Sequence, residues 1–248
     1  MKKLIITSTA VMAMFTGASH ADGFYISPRI AWSDMHIDET RIEKKPVNGA
    51  WSDFAGAKHE SWSDNDGNLA PKFAVGYDYN TNKYGILGLE IEYGQTSNHF
   101  DPTRSDVDFD GNLLNDSDSR DFKYSESTLS LNATYGYDFK YVIGFVTAGI
   151  GYTTIDSENN FRSGTYWWET RDSERNASWN IGAGIAVPVT KNVSVTLAYR
   201  YTDLGNVKYT NRMYHENARA GNNGIERHFD SDVDLSKHEI IAGMKVAF

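Results

Sequence analysis

Apolar and polar residues alternate with a period of two over eight segments of the chain. Stretches rich in Asp, Asn, Ser and Gly separate them and carry no such pattern. The first segment runs from Gly23 to about Ile37, with Phe24, Ile26, Pro28, Ile30 and Trp32 on one face. The second, about 69–79, repeats the pattern with Phe73, Val75, Tyr77 and Tyr79. The third and fourth, about 86–96 and 124–139, do so with Leu87, Leu89, Ile91 and Tyr93, then with Leu129, Leu131, Tyr135 and Tyr137. The last four lie at about 141–154, 177–189, 193–204 and 237–248. Each is long enough for a tilted strand that crosses a bilayer in roughly 9–11 residues. Their even number suits a bacterial single-chain barrel. The pattern therefore predicts an all-β fold: an eight-stranded antiparallel up-and-down transmembrane barrel.

The connections alternate in length. Short turns fall at 80–83, near Phe139-Lys140 and at 190–192, whereas 38–68, 100–122, 156–175 and 208–236 are long. Short turns on one side and long extracellular loops on the other mark outer-membrane barrels. With odd segments running outward, Trp32, Tyr93, Tyr152, Trp179, Tyr199 and Tyr201 gather at the loop end. Tyr77, Tyr79, Tyr135, Tyr137, Phe139 and Phe248 gather at the turn end. Two aromatic girdles are what two membrane–water interfaces select.

The opposite face of each segment then points into the barrel. It carries small and charged residues: Arg29, Lys72, Glu90, Glu92, Arg200, Lys237, Glu239 and Lys245. Side chains just fill an eight-stranded barrel, and isolated buried charges are costly. A network of Arg29, Glu90, Glu92, Arg200, Glu239 and Lys245 is expected to pair and seal the lumen. The alternative is a narrow conducting path, as in a small porin.

Composition narrows the picture. The chain has no cysteine, which excludes disulfides and thiolate metal sites. A net charge of −9 argues against nucleic acid as a partner. Lys2 and Lys3, the apolar run from Leu4 to about Gly17, and Ser19-His20-Ala21 read as a secretory signal peptide, with cleavage expected after Ala21. The barrel domain is then 22–248, located in the cell outer membrane as a multi-pass protein. Its expected partners are outer-membrane lipid, lipopolysaccharide and the barrel-assembly machinery, and it is expected to be a monomer.

Tyr135 to Lys140 and Ala148 to Tyr152 resemble the paired fourth and fifth strands of the opacity (Opa) family. Pro71 to Tyr79, with Val75 to Tyr79 at its core, Tyr199 to Gly205 and Lys237 to Phe248 resemble its second, seventh and closing strands. The resemblance covers the strands and none of the loops. It implies an OmpA-like eight-stranded barrel surface antigen whose loops bind host receptors or matrix. Separately, Phe248, an aromatic with apolar residues at alternate positions before it, looks like the signal read by the barrel-assembly machinery.

Other chemistry is sparse. Asp106, Asp108 and Asp110 begin like a calcium loop, but Ser117 stands where the bidentate Glu is needed, so an acidic solvated loop is expected. The histidines show no zinc spacing, and no catalytic residue or cofactor is expected. Trp51, Trp62, Tyr166, Trp167 and Trp168 lie in the long connections, away from the girdles. They are the candidates for contact with a receptor, glycan or matrix ligand, or for packing of loop against loop.

Overall fold

Backbone donors and acceptors inside a bilayer have no water to bond, so strands that cross it must close on themselves. The computed structural model, which describes residues 23–47, 50–52, 59–81, 84–100, 119–163, 166–215 and 225–248, shows such closure. The strands are β1 (Gly23–Val47), β2 (Ala50–Ser52), β3 (His59–Asn80), β4 (Ile86–Phe100), β5 (Ser119–Asp138), β6 (Ile143–Ser163), β7 (Tyr166–Pro188), β8 (Val193–His215) and β9 (Ile225–Ala247). Each long strand pairs antiparallel with its neighbours in the chain, and β1 pairs with β9 to close an eight-stranded barrel. The short β2 only extends the upper end of β1. Both chain ends of the barrel meet at the turn end, where the Phe248 N–H donates to the Phe24 carbonyl at 3.0 Å.

Alternation sets which side each residue faces. Ile30, Trp32, Phe73, Leu89, Ile91, Leu131, Ile150, Ile181 and Leu197 are exposed on the outer wall, while Ser27, Lys72, Glu90, Glu92, Asn132 and Arg200 are buried in the lumen. This is the reverse of a soluble sandwich, and only lipid makes it favourable. Strand register brings the expected girdles into line. Trp32 lies opposite Ile240, which lies opposite Tyr199, and Tyr93 lies opposite Leu129, which lies opposite Tyr152. At the turn end the Phe24 and Tyr77 rings meet edge-on at 5.1 Å.

The strands run much farther than the membrane requires. β1 has 25 residues, a length of about 80 Å at ~3.3 Å per residue. The stretches 38–68, 156–175 and 208–236, expected as loops, are largely strand. β1 and β3 pair as far as Ile42–His59, β6 and β7 as far as Ser163–Tyr166, and β8 and β9 as far as Tyr214–Ile225. Trp62 therefore lies on β3, Trp51 on β2, and Tyr166, Trp167 and Trp168 at the start of β7. The reason is local. Outside lipid the outward positions turn polar, so the ladder continues without an apolar outer face to announce it. Asp106, Asp108, Asp110 and residues 1–21, expected as a signal peptide, lie outside the described residues.

Above the outer girdle the inward positions become apolar instead. Met35 and Ile37 of β1, Leu204 and Val207 of β8, and Val233 and Leu235 of β9 pack with Tyr124 of β5 and Ile155 of β6 into a buried core. Here the wall also splits along two seams. The β3–β4 ladder stops at Lys72–Gly94, directly below Pro71, which has no amide hydrogen to donate. The β7–β8 ladder stops at Trp179–Asp203 and resumes only at Trp167–Tyr214.

Polar side chains bridge both seams. Asn98 Nδ2 donates to the Asp66 carbonyl at 2.9 Å, and Asn176 Nδ2 donates to the Asn206 carbonyl at 2.7 Å. The outer half thus consists of two four-stranded sheets, β8-β9-β1-β3 and β4-β5-β6-β7, facing each other across the apolar core.

Gly205 makes the β8 side of this arrangement. Its φ of 79° lies in the left-handed region, at a register shift between Asp203 and Gly205. The bulge lets Leu204 and Val207 both face inward although their numbers differ in parity. Replacing Gly205 with alanine is expected to destabilise the barrel by about 1 kcal/mol, read as a lower urea midpoint in detergent.

Candidate functional site in the barrel lumen

The middle of the lumen is crossed by charged side chains from six strands. Arg29 of β1 makes a two-pronged contact with Glu90 of β4, at 2.8 and 2.6 Å, and reaches Glu92 at 2.5 Å. Arg200 of β8 donates to Glu92 from the other side. Lys72 of β3 lies 3.6 Å from Glu92 and 2.9 Å from Glu239 of β9. Lys237 of β9 lies 3.5 Å from Glu239 and donates to both oxygens of Glu126 on β5, at 2.7 and 2.8 Å. Four acids, Glu90, Glu92, Glu126 and Glu239, thus meet four bases, Arg29, Lys72, Arg200 and Lys237, in one connected cluster.

Neutral groups fill the remaining valences. Tyr25 donates its hydroxyl to Glu90 at 2.8 Å, and Asn180 Nδ2 donates to Asn132 Oδ1 at 2.9 Å. Small residues make the crossing possible. A Cβ on Gly243 would come within 2.8 Å of the Arg29 chain, so a larger residue would push Arg29 off its acids. Buried charges are tolerable only when paired and hydrogen-bonded, and the balance of four against four meets that condition.

Of the expected network, Arg29, Glu90, Glu92, Arg200 and Glu239 come together. Lys245 does not join them. It pairs with Asp78 near the turn end and sits over the Tyr25 ring at 3.8 Å, because its place on β9 is six residues below Glu239. Lys72 and Lys237 had the right parity to be members. Glu126 was missed: it faces inward by the alternation of the fourth segment, but its neighbours Ser125 and Ser127 gave the stretch no apolar contrast.

The outer half carries its own electrostatics. Asp232 accepts from Asn206 and pairs with Lys208 at 3.0 Å. These two partners, Asn206 first, hold the Asp232 carboxyl below its ordinary value of 3.8. A depressed carboxylate contributes stability that is whole above the ordinary value and is lost as pH falls through the lowered one. Stability measured below about pH 4 is therefore expected to fall less steeply in Asp232→Asn than in the parent chain. Among the described residues no group of three or more His, Cys, Asp or Glu is placed to hold a metal ion.

A closed antiparallel wall of eight strands, apolar outside and charged within, defines an outer-membrane β-barrel, multi-pass in the cell outer membrane. The family described as outer membrane protein beta-barrel domain matches residues 4–218, and the chain belongs to it. Over 80 residues the chain is 34% identical to the 25 kDa outer-membrane immunogenic protein of Brucella abortus biovar 1 (strain 9-941). That stretch is 32% of this chain and 34% of the relative, so the match spans about a third of the relative's length.

Among solved structures, the chain is similar to Neisserial surface protein A, with a TM-score of 0.48, 16% identity and coverage of 94% of this chain and 100% of that one. The outer membrane protease OmpT of Escherichia coli gives a TM-score of 0.49, 12% identity and coverage of 94% and 99%.

Proposed function

We propose that this protein is a surface antigen and adhesin. A sealed barrel anchors it, and its outer half contacts a host receptor or matrix ligand. The observation that carries the reading is the two-layer closure of the lumen. A charge-balanced cluster spans the membrane level, and the apolar core around Tyr124 and Met35 lies above it. A lumen spent on holding the wall together leaves the outer half as the part free to act.

That half stands well clear of the outer girdle on long paired strands. Trp51, Trp62, Tyr166, Trp167 and Trp168 lie at its strand ends, with Tyr166 and Trp167 paired to His215 and Tyr214 at the tip. Aromatic residues are among those that most often anchor an interface. The resemblance to the opacity family and the name of the immunogenic Brucella relative agree with a surface role. Phe248, which directly follows the closing strand β9, is proposed as the signal for the assembly machinery. No catalytic step is assigned.

The test uses cells that display the full chain. Trp167→Ala/Trp168→Ala is expected to lower binding to host cells or matrix while outer-membrane levels stay the same. Unchanged binding would leave a structural role in the envelope. Purified protein in planar bilayers is expected to stay silent. Reproducible channels would replace the sealed reading with that of a small porin.

A further inference from the structure

The lumen is filled unevenly. Between the charge cluster and the turn end, several inward positions carry small residues, among them Gly88, Gly136, Ala186 and Ala198, and a cavity of about 130 Å³ remains. Its mouth lies at Thr190, Lys191 and Asn192 in the turn between β7 and β8. Part of its wall is apolar: Ile86, Ile143, Phe145 and Pro188. By strand parity these residues face inward, yet each keeps part of its surface open, so apolar surface is turned to the cavity. Covering such surface is more favourable than wetting it.

Three features of the wall select an occupant. The first is charge. The lining cations inside the barrel already have acids: Arg29 has Glu90, Arg200 has Glu92 and Lys245 has Asp78. Lys191 stands exposed at the mouth. A charged guest would lose hydration and meet no free counter-charge inside, which favours an uncharged one. The second is a platform. A Cβ on Gly184 would come within 2.6 Å of Phe145 Cζ, so the tip of the Phe145 ring lies down on the wall at Gly184. The ring also lines the cavity, and aromatic rings favour offset stacking. The third is a pair of hydroxyls. Ser194 and Thr196 line the cavity and are only part-buried, and neither hydroxyl is bonded to another described residue.

Strand register joins these features. Ala186 of β7 lies between Ile143 of β6 and Thr196 of β8. Neighbouring strands are about 4.8 Å apart, so Ile143 and Thr196 flank a span of roughly 10 Å with the Ala186 methyl as its floor. One ring with one hydroxyl fits that span. The volume agrees, since an apolar cavity of about 150 Å³ takes up benzene.

We propose that this cavity binds a small uncharged phenol, which enters from the turn end, rests its ring over Ala186 against Phe145 and Ile143, and sets its hydroxyl against Ser194 or Thr196. The site is separate from the strand ends assigned to adhesion, so either reading can fail alone.

The experiment titrates phenol into the full barrel in lipid nanodiscs, with isoleucine methyl groups labelled for NMR. The Ile86 and Ile143 signals are expected to shift and saturate. Ile150 and Ile181, exposed on the outer wall, report phenol that merely enters the lipid, and their shifts are expected not to saturate. Ala186→Leu fills the floor and is expected to weaken binding by about tenfold or more. Ser194→Leu, nearer the mouth, makes the same test should the first variant not fold. Ser194→Ala with Thr196→Val removes both hydroxyls and is expected to weaken phenol by about fivefold while leaving fluorobenzene unchanged. Benzoate, similar in size but charged, is expected to leave the inner signals in place. Inner shifts that never saturate, benzoate bound as tightly as phenol, undiminished binding in the filled variants or unchanged phenol affinity without the hydroxyls would each overturn the proposal, the first leaving the cavity to water.

Discussion

Replacing Glu92 with alanine will lower the stability of the refolded barrel by about 3–5 kcal/mol, read from urea unfolding in detergent. Glu92 stands between Arg29, Lys72 and Arg200, and its side chain is 3% exposed. Without it, three cations share the lumen with one acid fewer, and no water shell replaces the lost partner. The size of the loss comes from stranding those cations, not from the intrinsic worth of one pair. Glu92→Met with Arg200→Met removes one charge of each sign and restores the balance. That double variant should recover most of the loss, an interaction measurable as a double-mutant cycle. A single variant within about 1 kcal/mol of the parent would mean that the cluster is solvated like a surface network.

Tyr124→Ala will cost a similar amount, about 3–5 kcal/mol, but in a different place. Tyr124 is fully buried among Met35, Ile37, Ile155, Leu204, Val207, Val233 and Leu235. Its removal leaves a hole between the two outer sheets, whose seams already lack backbone ladders. Hydrogen exchange should therefore quicken in the strands above the outer girdle while amides between the girdles keep their protection. Uniform loss of protection throughout would show that the two halves unfold as one unit.

How much of this was readable from sequence depended on contrast between neighbouring positions. Where lipid meets one face and charge the other, as at Leu89, Glu90, Ile91 and Glu92, alternation is strong and gives both the strand and its facing. The stretch 59–68 offers no such contrast, because polar residues occupy both sets of alternate positions. Its strand character is imposed by pairing with β1 through Met35–Asp66 to Ile42–His59. A weaker signal did exist. Met35 and Ile37, and Val233 and Leu235, alternate in the parity opposite to the membrane face of the same strands.

Such a reversal marks the point where the strand leaves lipid and begins to bury its other side. The seams were beyond reach, because a ladder that stops at Lys72–Gly94 is a property of two strands. The candidate site was read as to membership by parity alone, and parity cannot give height. That is why Lys245 was grouped with residues it never meets, and why Lys72 and Lys237 were left out of the group; Glu126 was left out because its neighbours Ser125 and Ser127 give no apolar contrast.

The charge cluster also bears on how the protein behaves in an electric field. A potential across a bilayer does work of about 2.3 kcal/mol per elementary charge per 100 mV on whatever charge it moves. Glu90, Glu92, Glu126 and Glu239 cancel Arg29, Lys72, Arg200 and Lys237 within one connected body. If that body shifts as a unit, no net charge crosses the field. The barrel interior, although dense in ions, is therefore built to be indifferent to voltage.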